Sequence, residues 1–154
     1  MVNAVAVITG TNGRKGTVSF SVEGSGPTTV KGSLSGLPPG DHALIIHTYG
    51  NISNDWISTG PPFKPAGADG FLENITVTSE GIATFEIYKT IPLSGTNSVI
   101  GRGLVVHSSP SPDPGDGVAW GKYANLIIRI SLLFFCILTY ASRVVLRRQS
   151  LLVV

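Results

Sequence analysis

Apolar and polar residues alternate along much of this chain with the period of a β-strand. Between Thr17 and Glu23, the apolar Val18, Phe20 and Val22 alternate with Thr17, Ser19 and Ser21. That spacing sets one face in a core and the other in water. Ala83, Phe85 and Ile87 repeat the pattern against Thr84 and Glu86. Similar short runs, many of them β-branched and separated by Gly, Pro, Asn and Ser clusters, predict strands over 3–9, 16–23, 28–35, 42–49, 73–79, 82–89 and 100–108. Thr11-Asn12-Gly13 and Ser79-Glu80-Gly81 supply residues that tolerate positive φ in tight hairpins, and Leu37-Pro38-Pro39-Gly40 fixes a stiff crossing turn. Such a series predicts an all-β antiparallel sandwich or barrel.

The alternation stops in two places. Residues 51–73 hold Gly60-Pro61-Pro62 and Lys64-Pro65-Ala66-Gly67 and predict a long loop, a usual place for function. After Ser109 the chain changes style, which divides it into a β-barrel body over 1–109, a Pro/Gly-rich linker over 110–125 and an apolar, basic tail over 126–154.

Composition adds detail to this picture. The net charge of +2 is small but segregated, since Asp116 is the last acidic residue and Lys122, Arg129, Arg143, Arg147 and Arg148 follow it. The basic character thus belongs to the tail, and no nucleic-acid-binding face is expected. Cys136, the single cysteine, excludes an intrachain disulfide and a Cys-rich zinc motif. No basic stretch followed by a long apolar core opens the sequence, which predicts a cytoplasmic location. In that setting the sequons at Asn51 and Asn74 are expected to be chance matches.

Several longer motifs are more specific. Gly26-Pro27-Thr28-Thr29-Val30-Lys31-Gly32 leads into Leu34-Ser35-Gly36-Leu37, and then come Pro39-Gly40-Asp41-His42, Ser58-Thr59-Gly60-Pro61, Phe63, Ile91-Pro92-Leu93-Ser94-Gly95 and Ser98-Val99-Ile100-Gly101-Arg102 with Val105-Val106-His107. Taken in this order, they resemble the copper/zinc superoxide dismutases of the plant cytosolic type. The resemblance implies a Greek-key β-barrel, here with its last strand missing or replaced because family-like sequence fades beyond about residue 110. It also implies dismutation of superoxide to oxygen and hydrogen peroxide by a copper ion, with zinc steadying the site, in a homodimer.

Carried over residue by residue, the resemblance implies a damaged metal site. Copper suits imidazole ligands, and two histidines at i and i+2 on a strand share a face. The matching pair here is Ile45 and His47. The family's bridging histidine falls on Pro62, which has no side-chain donor, and its zinc-binding aspartate falls on Phe71 within a much shortened zinc loop. His47 and His107 are the residual copper-ligand positions, while Ile45, Pro62 and Phe71 are lost ones. Weak copper binding at most is expected, and no zinc. The family's loop cysteine falls on Trp56. His42 and Arg102 match structural positions of the family.

Superoxide is the implied substrate of any activity that remains, and altered loop and terminal regions argue against the homodimer. Residues 126–142, with Arg129 as their one charge, approach the length of a short membrane span. Residues 126–133 equally suit a substitute for the last strand. A translated intron beginning near Gly121-Lys122-Tyr123 is the third reading of the tail. The expected function is that of a superoxide-dismutase-like protein with activity severely impaired or absent, and the alternative is a non-enzymatic membrane-associated or interaction β domain.

Overall fold

A computed structural model describes residues 2–64 and 70–125. Strands β1 (Val2–Thr9), β2 (Lys15–Val22), β3 (Thr28–Ser35), β4 (Gly40–His47), the short β5 (Ser53–Trp56), β6 (Phe71–Val77), β7 (Ile82–Lys89), β8 (Gly103–His107) and β9 (Gly117–Asn125) follow one another along the chain. Eight of them form one antiparallel sheet in the order β6-β4-β8-β9-β1-β2-β3-β7. Curled on itself, this sheet makes a nearly closed β-barrel, as the alternation and the resemblance both imply.

The two edge strands, β6 and β7, are consecutive in the chain and meet through a hairpin at one end of the seam. There the Thr78 N–H donates to the Ile82 carbonyl over 2.9 Å. Farther along, the Lys89 Nζ donates to the Phe71 and Leu72 carbonyls at 3.0 and 2.8 Å, stapling the otherwise unpaired edges. A charged donor spent on edge carbonyls also blunts a strand that could recruit another chain.

Inside the barrel, Val18 and Phe20 from β2, Val30 and Leu34 from β3, Leu44 and Ile46 from β4, and Leu104 and Val106 from β8 form one buried cluster. Their positions two apart on each strand are what alternation requires. On β2 the opposite residues Thr17 and Ser19 are exposed. On β4 and β8, in contrast, Ala43, Ile45, Val105 and His107 on the outer face are buried as well.

The last strand departs from expectation. Gly117–Asn125, read from composition as part of a linker, is β9, which lies between β8 and β1 in the place where a strand was expected to be missing or replaced. Glycines explain the misreading. A Cβ on Gly121 would collide with the Val7 carbonyl, and one on Gly117 would collide with the Trp56 indole. Both mark close approaches within packed structure, and sequence alone does not distinguish these from turn glycines. Smaller departures have similar local causes. β4 starts at Gly40 and stops at His47, β8 starts at Gly103 after a turn in which the Arg102 N–H donates to Val99 O, and the expected loop over 51–73 contributes β5 and the start of β6. The tail over 126–154, with its membrane-span, substitute-strand and intron readings, lies outside the described residues. Among the described residues no helix is long and apolar enough to cross a membrane.

Candidate metal centre

The doubly buried strands β4 and β8 carry a cluster on the outer wall of the barrel. In their ladder Ile45 faces Val105, and His47 faces Gly103. His107 lies two residues past Val105 in the opposite direction. Both imidazoles therefore flank the Ile45–Val105 pair on one face, and they lean towards each other across it. Bulges interrupt the ladders beside both groups, between Leu44 and Ile45 against β6 and between Val106 and His107 against β9. Such irregularities re-aim side chains next to sites.

A strap of chain covers the cluster. The Thr48 N–H donates to Pro61 O at 3.0 Å, the Tyr49 N–H to Thr59 O at 2.9 Å, and the Phe63 N–H to Ile46 O at 2.8 Å. These bonds lay 59–63 alongside the end of β4 and set Pro62 opposite His47. Trp56 approaches the His107 ring edge-on at 5.9 Å between centroids and covers Gly117. Under this cover His47 is 2% exposed and His107 4%.

The proton positions on the two rings follow from their partners. Nδ1 of His47 lies 2.6 Å from the Gly60 carbonyl oxygen, which can only accept, so Nδ1 carries the proton and donates it. Thr59 supports the same assignment, because its hydroxyl donates to the Trp56 carbonyl and turns a lone pair to His47 Nδ1 at 3.0 Å. Nδ1 of His107 likewise donates to Gly115 O over 2.8 Å. In the neutral rings each Nε2 then holds a bare lone pair. These two nitrogens lie 3.1 Å apart, with the rings stacked at 25°. Two lone pairs at that distance repel unless a proton or another cation lies between them.

A proton is a poor solution near neutral pH. Burial pushes His47 down from 6.5 to about 4, opposed in part by the Gly60 carbonyl and reinforced by the nearby His107. Burial also lowers His107, against the opposing effects of the Gly115 carbonyl and Asp116. Imidazoles whose Nδ1–H is held by a carbonyl while Nε2 points at a common locus have the form of metal ligands with their supporting shell in place.

A family model for copper/zinc superoxide dismutase matches residues 14–117, more than half of the chain. The chain belongs to the copper/zinc superoxide dismutase family. Copper/zinc superoxide dismutases typically use both metals, and the match ends at Gly117, where β9 begins.

The residues singled out from sequence by this family's pattern gather in one patch. Ile45 shares the face of His47, Pro62 bridges to His47, and Phe71 is the ladder partner of Ile45. The side chains of Ile45, Pro62 and Phe71 offer no lone pair suited to a metal. Among the described residues no group of three or more His, Cys, Asp or Glu could hold a metal ion, and Asp69 lies outside them. The described side chains thus do not fit the family's paired copper and zinc. What they present is a two-imidazole donor set.

Sequence reasoning gave no orienting or covering role to four parts of this arrangement. Thr59, the carbonyls of Gly60 and Gly115, and the Trp56 indole orient or cover the two rings. Backbone carbonyls leave no residue-type signature, and Thr59 stood out only as one letter of a longer motif. His42 has the structural setting expected of it. Its ring nitrogens lie 2.6 Å from the His107 carbonyl and 2.8 Å from that of Pro38, so it ties the crossing turn to the strand end that carries His107. Arg102 is also a tie, donating to Ser98 O and Thr48 O at 2.9 Å each while its guanidinium lies 3.5 Å from the Phe63 ring centroid.

Proposed function

We propose that this chain is a superoxide-dismutase-like protein in which dismutation is severely impaired or absent. The observation that carries this reading is the donor set. His47 and His107 supply two imidazole nitrogens, whereas Ile45 and Pro62, at the family's other copper-ligand positions, supply none. Copper, if held there, would supply the family's redox chemistry on superoxide, which requires a ligand set acceptable to both of its oxidation states. In this chain the protein groups bind and orient: Gly60 and Gly115 fix the tautomers, and Trp56 with the 59–63 strap excludes water. Zinc has no equivalent donors at Phe71.

The test is superoxide removal by purified protein incubated with copper and zinc, with metal content measured on the same sample. Substoichiometric zinc and a rate close to that of buffer are expected. Stoichiometric copper and zinc with rapid superoxide removal would overturn the reading.

A non-enzymatic membrane-associated or interaction β domain is the second reading, supported by the apolar composition of 126–142. Vesicle binding that disappears when 126–154 are deleted would favour it. On either reading superoxide is the substrate of any residual activity, the location is cytoplasmic unless the tail anchors the chain, and the family's homodimer is not expected to persist.

A further inference from the structure

The outer face of the sheet is sheltered on one side only. Over β4 and β8 the 59–63 strap and Trp56 lie across it, whereas Val7 on β1, Thr17 and Ser19 on β2, and Lys31 and Ser33 on β3 are exposed. Ala4, Ala6 and Ile8 point into the core, which turns Asn3, Val5, Val7 and Thr9 outwards. Val7 faces Thr17 and Thr17 faces Ser33 across the ladders, and Thr9, Lys15, Ser35 and Ile82 form the next row. These two rows line a shallow groove of about 550 Å³. Val7 and Ile82, 61% and 41% exposed, are the apolar walls at its two sides, and the small Thr17, Ser33 and Ser35 lie between them.

The described chain ends beside this face. Asn125, at the end of β9, faces Ala4. Next to Ala4, the outward-facing Asn3 has its Oδ1 buried without a hydrogen-bond partner. A buried acceptor left alone is costly, and the chain beyond Asn125 starts where it can supply the donor. From that exit, Ile82 lies five residues along the strands and three strands across, roughly 22 Å away. Residues 126–142, with Arg129 as their one charge, would extend about 26 Å even if wound as a helix. They are long enough to cross the face from Asn3 to Ile82. A membrane suits the same residues less well, because Lys122 and Arg129 stand at one end of the stretch and Arg143, Arg147 and Arg148 at the other. A single crossing would have to carry one of these basic flanks through the bilayer.

We propose that residues 126–142 fold back over the outer face of β1 and dock in the groove between Val7 and Ile82, so that the chain's own apolar segment covers the bare side of the barrel. The inference stands apart from the impaired-dismutase reading and competes with membrane association of the tail. Lys31, Glu86 and Tyr88, outside the groove on the same face, stay in water.

Methyl NOE spectroscopy and hydrogen exchange on the full-length protein test this placement. The methyl groups of Val7 and Ile82 are expected to show NOEs to side chains of 126–142. Amides of that segment should exchange at least about tenfold more slowly than in the double variant Val7→Gln/Ile82→Gln. Both replaced side chains are exposed, so the variant barrel is expected to fold. Tyr88→Gln, at a position 66% exposed and outside the groove, should leave the exchange of the tail as it was.

Absence of those NOEs in the unsubstituted protein overturns the inference, and that result needs no variant to fold. Tail exchange that the Gln pair leaves unchanged overturns it as well. Slow exchange that appears only at high protein concentration would put the tail on a second copy of the chain, again against the inference. Sedimentation with phosphatidylserine-containing vesicles, in a protein without the Val7 and Ile82 NOEs, would assign the tail to the membrane instead.

Discussion

Strands β2 and β3 and strands β4 and β8 belong to one sheet but treat their outer faces differently. On β2 and β3 burial alternates, and Thr17, Ser19, Lys31 and Ser33 face water. On β4 and β8 every residue from His42 to His47 and from Gly103 to His107 is buried. The inner faces do the same work in both halves, filling the barrel. The outer face of β4, β8 and β9 carries a second layer, Ile45, His47, Val105, His107 and Trp120, with the 59–63 strap and Trp56 over its histidines. The inner cluster closes without any residue of that outer layer, so the barrel's core does not depend on what the layer carries.

Substitutions on the outer faces test this contrast most strongly. Trp120 on β9 is 7% exposed, whereas Val7, on the neighbouring β1, is 61% exposed. Trp120→Ala is expected to cost about 3–5 kcal/mol in chemical denaturation, and Val7→Ala less than about 1 kcal/mol. Similar costs for both would mean that the outer layer over β9 is not packed.

The seam comes next in size. Lys89→Met removes the donor to Phe71 O and Leu72 O. A loss of about 1–2 kcal/mol is expected, part of the charged hydrogen-bond energy being screened by solvent. Faster amide exchange in β6 than in β4 should accompany it, and unchanged exchange in β6 would show that the staple does not hold the edge.

The pH dependence should be confined to the outer layer. His47 titrates near 6.5 when unfolded and about 4 when folded, and His107 is lowered in the same direction. Between these values the unfolded chain binds more protons than the folded one, so stability rises with pH. The metal-free protein should therefore lose stability as pH falls from 6.5 towards about 4. His47→Gln should flatten that slope, which a denaturation series across the window would show. A slope unaffected by the substitution would contradict a buried, neutral His47.

The smallest effect belongs to the exposed face of β3 and β7. Lys31 and Glu86 form an ion pair at 3.2 Å with both side chains in water. Glu86→Gln is expected to leave the denaturation midpoint unchanged within error, because screening removes most of such a pair's benefit. A clear drop would mean that this face is not the solvated side of the contrast.

The same contrast explains how much was legible in the sequence. Where one face is wet, alternation is visible, and β2, β3 and β7 fall within a residue of the strands expected over 16–23, 28–35 and 82–89. Where both faces are dry, Ala43-Leu44-Ile45-Ile46 reads as a plain apolar run. Nothing in it says that Leu44 faces the barrel and Ile45 the site. β9 was hidden for another reason, since Gly117 and Gly121 are small to admit Trp56 and the Val7 carbonyl. The convergence of His47 and His107 could be expected from family pattern. The facing lone pairs could not, because they depend on the carbonyls of Gly60 and Gly115, which any residue would supply.

Ring-nitrogen spectroscopy of the metal-free protein near pH 7 tests that central feature most directly. Long-range ¹H–¹⁵N correlations distinguish a protonated from an unprotonated imidazole nitrogen at each histidine. His47 and His107 are both expected to show protonated Nδ1 and unprotonated Nε2. A protonated Nε2 on either ring would contradict the facing lone pairs and return the pair to an ordinary hydrogen-bonded contact in the wall of a barrel.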